Sequence, residues 1–224
     1  MKVLSGLDVI TLRLPEGLRG KRAGLLCHAS SISSDYRHIT EIFGSSKDLR
    51  LAAIFGPQHG LSGQTQDNMI EWRSTVDPVL GIPVHSLYGE HRKPTAAMLN
   101  GLDALVIDLQ DVGARLYTYI WTVKLCMEAC AEAGLPVYLL DRPNPIGRVP
   151  ADGPVLNEDY FTFVGAACIP LCHRMTIGEM ALWVKEKHIP GCELHVIRAE
   201  GWRRNSMYYE TGLPWVLPSP NMPT

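Results

Sequence analysis

Six apolar runs of strand length, most of them continuous, recur along the chain, at 23–28, 51–55, 82–88, 104–109, 137–140 and 194–197. A strand that is hydrophobic at every position must be covered on both faces, and parallel strands need crossover helices to supply that cover. Segments with helical spacing stand between the runs, at 36–43, 95–99, 116–133 and 176–187. In the third, Leu116, Ile120, Val123, Met127 and Cys130 recur every three or four residues, and Gly134 supplies the stop. The fourth opens with Thr176 followed three residues later by Glu179, a capping-box pattern. The alternation predicts an α/β fold: a doubly wound, mostly parallel sheet with helices on both faces.

Composition narrows the functional classes. The 224 residues are 46% hydrophobic and 20% charged, enough for a substantial core. The net charge is −2 with scattered basic residues, which excludes the basic stripe of a nucleic-acid binder. No apolar run reaches the roughly 18–20 residues of a membrane helix, so no membrane partner is expected. The first twenty residues are interrupted by Asp8 and Arg13 and lack a small-residue cleavage site, so they do not form a signal peptide. Cys126 and Cys130 share one helix face and Cys27 sits in a strand, the pattern of reduced, buried thiols in a cytoplasmic protein. Cys168, Cys172 and His173 have metal-like spacing, but no second ligand pair matches them, so no metal is expected.

Ligands of open α/β sheets bind beyond the carboxyl ends of the strands. Those ends read His28-Ala29-Ser30, then Gly56-Pro57-Gln58-His59-Gly60, then Tyr88-Gly89-Glu90-His91-Arg92-Lys93. Asp108-Leu109-Gln110-Asp111 leads on to Arg115, and Asp141-Arg142-Pro143-Asn144-Pro145 follows the fifth run. There is no GxGxxG or GxxxxGK[ST] phosphate loop, no GxSxG elbow and no HExxH, so no nucleotide cofactor, serine nucleophile or zincin centre is indicated. Carboxylates, amides, arginines and the aromatic rings of Tyr117 and Tyr119 suit a polar, ring-shaped substrate, and glycoside cleavage needs a pair of carboxyl groups. Arg92, Lys93, Arg115 and Arg142 can hold an anionic group, which points to an acidic sugar derivative.

From Gly201 onward the chain changes character, with Pro at 214, 218, 220 and 223 and aromatic residues at 202, 208, 209 and 215. Such a run is neither a regular helix nor a central strand.

The runs FGPQHG (55–60), SLYGEHRKPT (86–95), DLQDVGARLYTYIWT (108–122), LLDRPNP (139–145), GPVL (153–156), MTIGEM (175–180) and TGLPWVLPSPNMPT (211–224) resemble the NamZ-type exo-β-N-acetylmuramidases, glycoside hydrolase family 171. The resemblance implies a Rossmann-like catalytic domain over 1–200. It also implies a tail, 201–224, leading to a C-terminal domain outside this chain. The implied reaction removes terminal β-linked N-acetylmuramic acid from a muropeptide or disaccharide, without cofactor, and the basic residues would serve the lactyl carboxylate. The family usually reads FGPEHG where this chain has Gln58, and an amide carries no titratable proton. Glu71, in the next loop after Asp67, Asn68 and Met69, is then the expected acid or base. Asp108 is the expected second carboxylate, with Gln58 and His59 orienting groups by hydrogen bonds. Glu90, Gln110, Arg115, Tyr117, Tyr119, Asp141, Arg142, Asn144 and Asn221 are expected to bind substrate. A non-catalytic amino-sugar binding protein is the second reading, kept open by Gln58.

Overall fold

The computed structural model describes residues 2–63 and 70–222. Asp67, Asn68 and Met69 of the loop before Glu71, and Pro223 of the tail, lie outside the described residues. Six parallel strands form the sheet: β1 (Arg22–Cys27), β2 (Arg50–Gly56), β4 (Pro83–Ser86), β5 (Ala104–Asp108), β6 (Val137–Leu140) and β7 (Leu194–Ile197). A two-residue strand, β3 (Thr75–Val76), pairs antiparallel with β4 at one edge. The order β3-β4-β2-β1-β5-β6-β7 reverses direction between β1 and β5. That reversal is the topological switch point of a doubly wound, Rossmann-like sheet, as the alternation of runs predicts.

Strand residues alternate between two cores. Leu26, Leu105 and Ile107 face one side with α4 (Tyr119–Ala133) and α5 (Ile177–His188). Leu25, Cys27, Ala104 and Val106 face the other with α1 (Gly6–Leu12) and α2 (Ile39–Gly44), while the short α3 (Ala96–Leu99) closes against α4. The period of two puts consecutive strand residues on opposite faces, so in the central β5 and β6 every position is buried, whereas β7 at the sheet edge is partly exposed.

Helix starts follow their caps. Thr176 and Glu179 form the capping box expected for α5. Expected to begin at 116, α4 begins at Tyr119: Tyr117 N–H closes a turn on the Ala114 carbonyl, Leu116 stands exposed, and the Thr118 hydroxyl is given to Gln58 without capping the helix. Likewise α2 starts three residues later than its apolar spacing suggests: Tyr36 has φ 64, outside the helical region, and His38 is the N-cap. Two elements, α1 and β3, lie outside the expected set. Among the described residues no helix is long and apolar enough to cross a membrane.

Candidate active site

The carboxyl edge of the sheet has two unlike flanks. At the switch point and on the β5–β6 side, the polar side chains are committed to one another and to backbone. Arg142 donates from Nε to Asp108 Oδ1 (2.5 Å) and from Nη2 to Asp108 Oδ2 (2.7 Å) and to the Ile32 carbonyl (3.0 Å). Burial, the largest single cause, would lower the Arg142 guanidinium, but the charge and hydrogen bonds of Asp108, with smaller contributions from Tyr208 and Asp8, together hold it above its ordinary value. Asp108 is 0% exposed with both oxygens bound, so it has no route to a sugar; the expected second carboxylate is a buried counter-charge.

The neighbours are held in the same way. Arg115 Nη1 donates to the Pro154 (2.7 Å) and Ile169 (2.5 Å) carbonyls. Asn144 Nδ2 donates to the Met175 carbonyl and its Oδ1 accepts from Ile146 N–H. Gln110 Nε2 donates to the Asp111 and Pro143 carbonyls. Asp141 accepts from Gly178 N–H (2.8 Å), the Thr176 hydroxyl (3.0 Å) and Arg142 N–H (3.0 Å), fastening the start of α5 to the end of β6. Burial, the largest cause, pushes its carboxyl up to about 6 against those three hydrogen bonds. These residues therefore lock turns, although a substrate-binding role was expected for them. His28 sits between them, its pKa driven well down by burial and then by Arg142, and its neutral Nε2 accepts from Gln110 N–H (3.0 Å).

The tail roofs the switch point. Ser30 donates to the Val216 carbonyl (2.9 Å), Tyr119 to the Pro218 carbonyl, and the Ser219 hydroxyl bonds His59 Nε2 (3.1 Å). Tyr117 meets the Tyr119 ring edge-on at 5.0 Å and directs its hydroxyl to Met222 Sδ (3.9 Å). Burial raises both tyrosines' pKa. Asn221, at the exposed lip of this roof, donates its N–H to the Ser219 hydroxyl.

The β2–β4 flank is open. A cleft of about 800 Å³ is lined by Glu71, Arg73, Ser86, Glu90, His91 and Trp72, among others. Trp72 sets its geometry. The indole N–H donates to the Pro57 carbonyl (3.1 Å) and the backbone N–H to the Tyr88 carbonyl (3.1 Å), so the loop carrying Glu71 is pinned between the two strand ends. Two glycines make room for it: a Cβ on Gly56 would stand 2.6 Å from the Trp72 ring, and one on Gly89 2.7 Å from its carbonyl oxygen. Glu71 is 61% exposed and accepts from Arg92 Nη2 at 3.3 Å. The Arg92 guanidinium lies 3.6 Å over the Tyr88 ring, and its Nη1 is buried with no hydrogen-bond partner. Gln58 does not line this cleft: it is buried and accepts from the Thr118 hydroxyl (2.8 Å) at the start of α4, while His59 next to it adopts φ 70.

The structure thus brings Glu71 and Glu90 to one cleft and removes Asp108 to the closed flank. Of the four basic residues expected to hold an anion, Arg92 lies beside the cleft; Lys93 pairs with Glu132 (2.6 Å), and Arg115 and Arg142 are internal. Trp72 and Arg73 were not anticipated, though a tryptophan in so polar a loop is a visible anchor. Cys168 is exposed and Cys172 bridges Asp152, so the metal-like spacing is spread along a surface strand pairing; His173 Nε2 instead faces Asp111 at 3.2 Å.

Fold and cleft together define a doubly wound α/β domain with an open, carboxylate-bearing pocket on one flank of its strand ends. The chain belongs to the exo-beta-N-acetylmuramidase NamZ family, whose N-terminal model matches residues 23–224. It is 43% identical over 223 residues to the peptidoglycan beta-N-acetylmuramidase NamZ of Bacillus subtilis (strain 168), covering all of this chain and 54% of that protein. A crystal structure of a DUF1343 family protein from Bacteroides fragilis NCTC 9343 superposes with a TM-score of 0.90 at 37% identity, over 98% of this chain and 56% of that one. A second such protein from the same organism gives 0.79 at 32% identity, over 93% and 55%. The chain spans about half the length of these relatives.

Proposed function

We propose that the chain carries the catalytic face of an exo-acting glycoside hydrolase that removes terminal β-linked N-acetylmuramic acid from peptidoglycan fragments. The observation that carries the reading is the β2–β4 cleft itself, which Glu71 and Glu90 both line, with Arg92 bonded to Glu71 beside it. Glycoside cleavage needs one carboxyl group to protonate the departing oxygen and another to act on the opposite side of the ring. Glu71 takes the acid–base role and Glu90 the second. Arg73, on the cleft wall, and Arg92, whose Nη2 faces Glu71 beside the cleft, receive the lactyl carboxylate. Gln58 and His59, held by Thr118 and by Ser219 of the tail, keep the orienting role by hydrogen bonds. The name of the Bacillus subtilis relative supports the same substrate class. Six free thiols, four of them buried, support a reducing, cytoplasmic setting.

The test is a chromogenic β-N-acetylmuramide beside the matching N-acetylglucosaminide. A charge-assisted bidentate contact is worth roughly 1.5–3 kcal/mol, so the muramide is expected to be preferred by at least about tenfold in kcat/KM. Equal rates for the two sugars would remove the lactyl-binding argument.

A further inference from the structure

A second hollow, of about 510 Å³, opens at the same carboxyl edge, away from the Glu71 cleft, and is walled by Tyr36, Pro145, Tyr208, Tyr209, Pro214 and Trp215. Its size is that of a ligand pocket, and its lining is aromatic and prolyl apart from Gly212 and Leu213. Two of the rings are displayed where burial would be the ordinary outcome: Tyr36 is 73% exposed and Tyr209 77%.

Both displays are built. Tyr36 occupies the left-handed region (φ 64), a conformation that costs a non-glycine residue free energy and that collects at functional positions. The turn holding it is closed by Ser33 N–H to the Arg37 carbonyl (2.9 Å), Tyr36 N–H to the Ser33 carbonyl (3.0 Å) and Arg37 N–H to the Ser33 hydroxyl (3.2 Å). Arg142, the buried partner of Asp108, holds the Ile32 carbonyl at the base of the same turn. Across the hollow, the 3-10 turn Tyr208–Thr211 presents Tyr209, while Tyr208 packs edge-on against Trp215 at 4.9 Å and donates to the Pro214 carbonyl (3.2 Å). The cations nearby are already neutralised, Arg37 by Asp35 (2.9 Å) and Arg142 by Asp108.

Rigid aromatic faces with hydroxyl rims and no spare charge suit the flat, C–H-bearing faces of a neutral pyranose. We propose that this hollow is a second carbohydrate site that takes a neutral N-acetylhexosamine ring of the glycan, apart from the ring cleaved at Glu71. Continuity favours this occupant: Pro145 follows Asn144 directly, so the hollow adjoins the strand-end edge along which a bound glycan would run. The proposal rests on the reading of the chain as a glycan-processing protein.

The probe is the soluble β-1,4-linked tetramer of N-acetylglucosamine, titrated calorimetrically into the 224-residue chain. Binding with a millimolar or tighter Kd is expected. Tyr209→Ala and Tyr36→Gly should each weaken it at least about fivefold, the scale of one lost ring contact. Glycine is favoured at φ 64, so Tyr36→Gly removes the ring while relieving the turn, and weaker binding cannot then be assigned to misfolding. Hydrolysis of the single-sugar chromogenic muramide should be unchanged in both variants. No tetramer binding at about 10 mM, or binding indifferent to both substitutions, would overturn the hollow. Tetramer binding that needs both rings in a chain that fails to cleave the muramide would support the hollow and count against the Glu71 reading alone.

Discussion

Two carboxylate–guanidinium pairs stand at the same edge of one sheet and serve opposite ends. Asp108 and Arg142 are buried and bidentate at the switch point, where both groups have all but lost contact with water. Glu71 and Arg92 meet at 3.3 Å at the side of an open cleft, with Glu71 61% exposed. A buried pair is costly to break, because removing one member leaves an uncompensated charge; an exposed pair is worth about 0–1 kcal/mol and leaves its carboxylate free for other work. The difference teaches that position at the switch point does not by itself make a site. Here the switch point is filled by the chain's own tail and turn-locking bonds, and the open cleft lies one strand further out.

The sharpest way to break the comparison is to remove the buried carboxylate. Asp108→Asn strands the Arg142 charge and should lower unfolding free energy by about 3–5 kcal/mol in urea titrations. A loss under about 1 kcal/mol would mean that the pair is not the scaffold described.

Asp141, on the same closed flank, should sharpen it through pH. Its folded carboxyl titrates near 6 and an unfolded one near about 3.9, so the folded chain holds the proton more tightly. Stability is then fully present below about pH 4 and declines by on the order of 2–3 kcal/mol as pH rises through 6. Asp141→Asn should flatten that window in thermal melts taken across it, and an unchanged slope would show that another group titrates.

On the open flank the expected stability effects are smaller and the functional ones specific. Arg92→Ala should cost little stability but erase about tenfold of the muramide preference, roughly 1.4 kcal/mol. Retained preference in that variant would move the carboxylate contact elsewhere.

The sheet was legible because a doubly covered strand leaves an unbroken apolar run, and the runs at 104–109 and 137–140 fall on β5 and β6. The elements outside that signal are those whose cause is local. Ser5 and Asp8 form a capping box that starts α1, a pattern present in the sequence but hidden in a short helix, and β3 has only two exposed residues. At the site, the gathering of polar and ionisable residues at the strand ends was legible, and Glu71 and Glu90 line one cleft. What spacing could not carry was commitment. Arg115, Asn144 and Arg142 are bonded to carbonyls of residues 154, 169, 175 and 32, partners that only the folded chain brings near.

The central claim is that the catalytic carboxylate stands in the open cleft at Glu71. Its most direct test is kcat/KM for the chromogenic muramide in Glu71→Gln beside the unsubstituted chain, with urea midpoints taken on the same samples. The expected result is a loss of roughly 10²–10⁴-fold with the midpoint held, because the amide cannot transfer a proton while the pair it leaves contributes little to folding. Turnover surviving within about tenfold would contradict the account and return the search to other carboxylates of the edge.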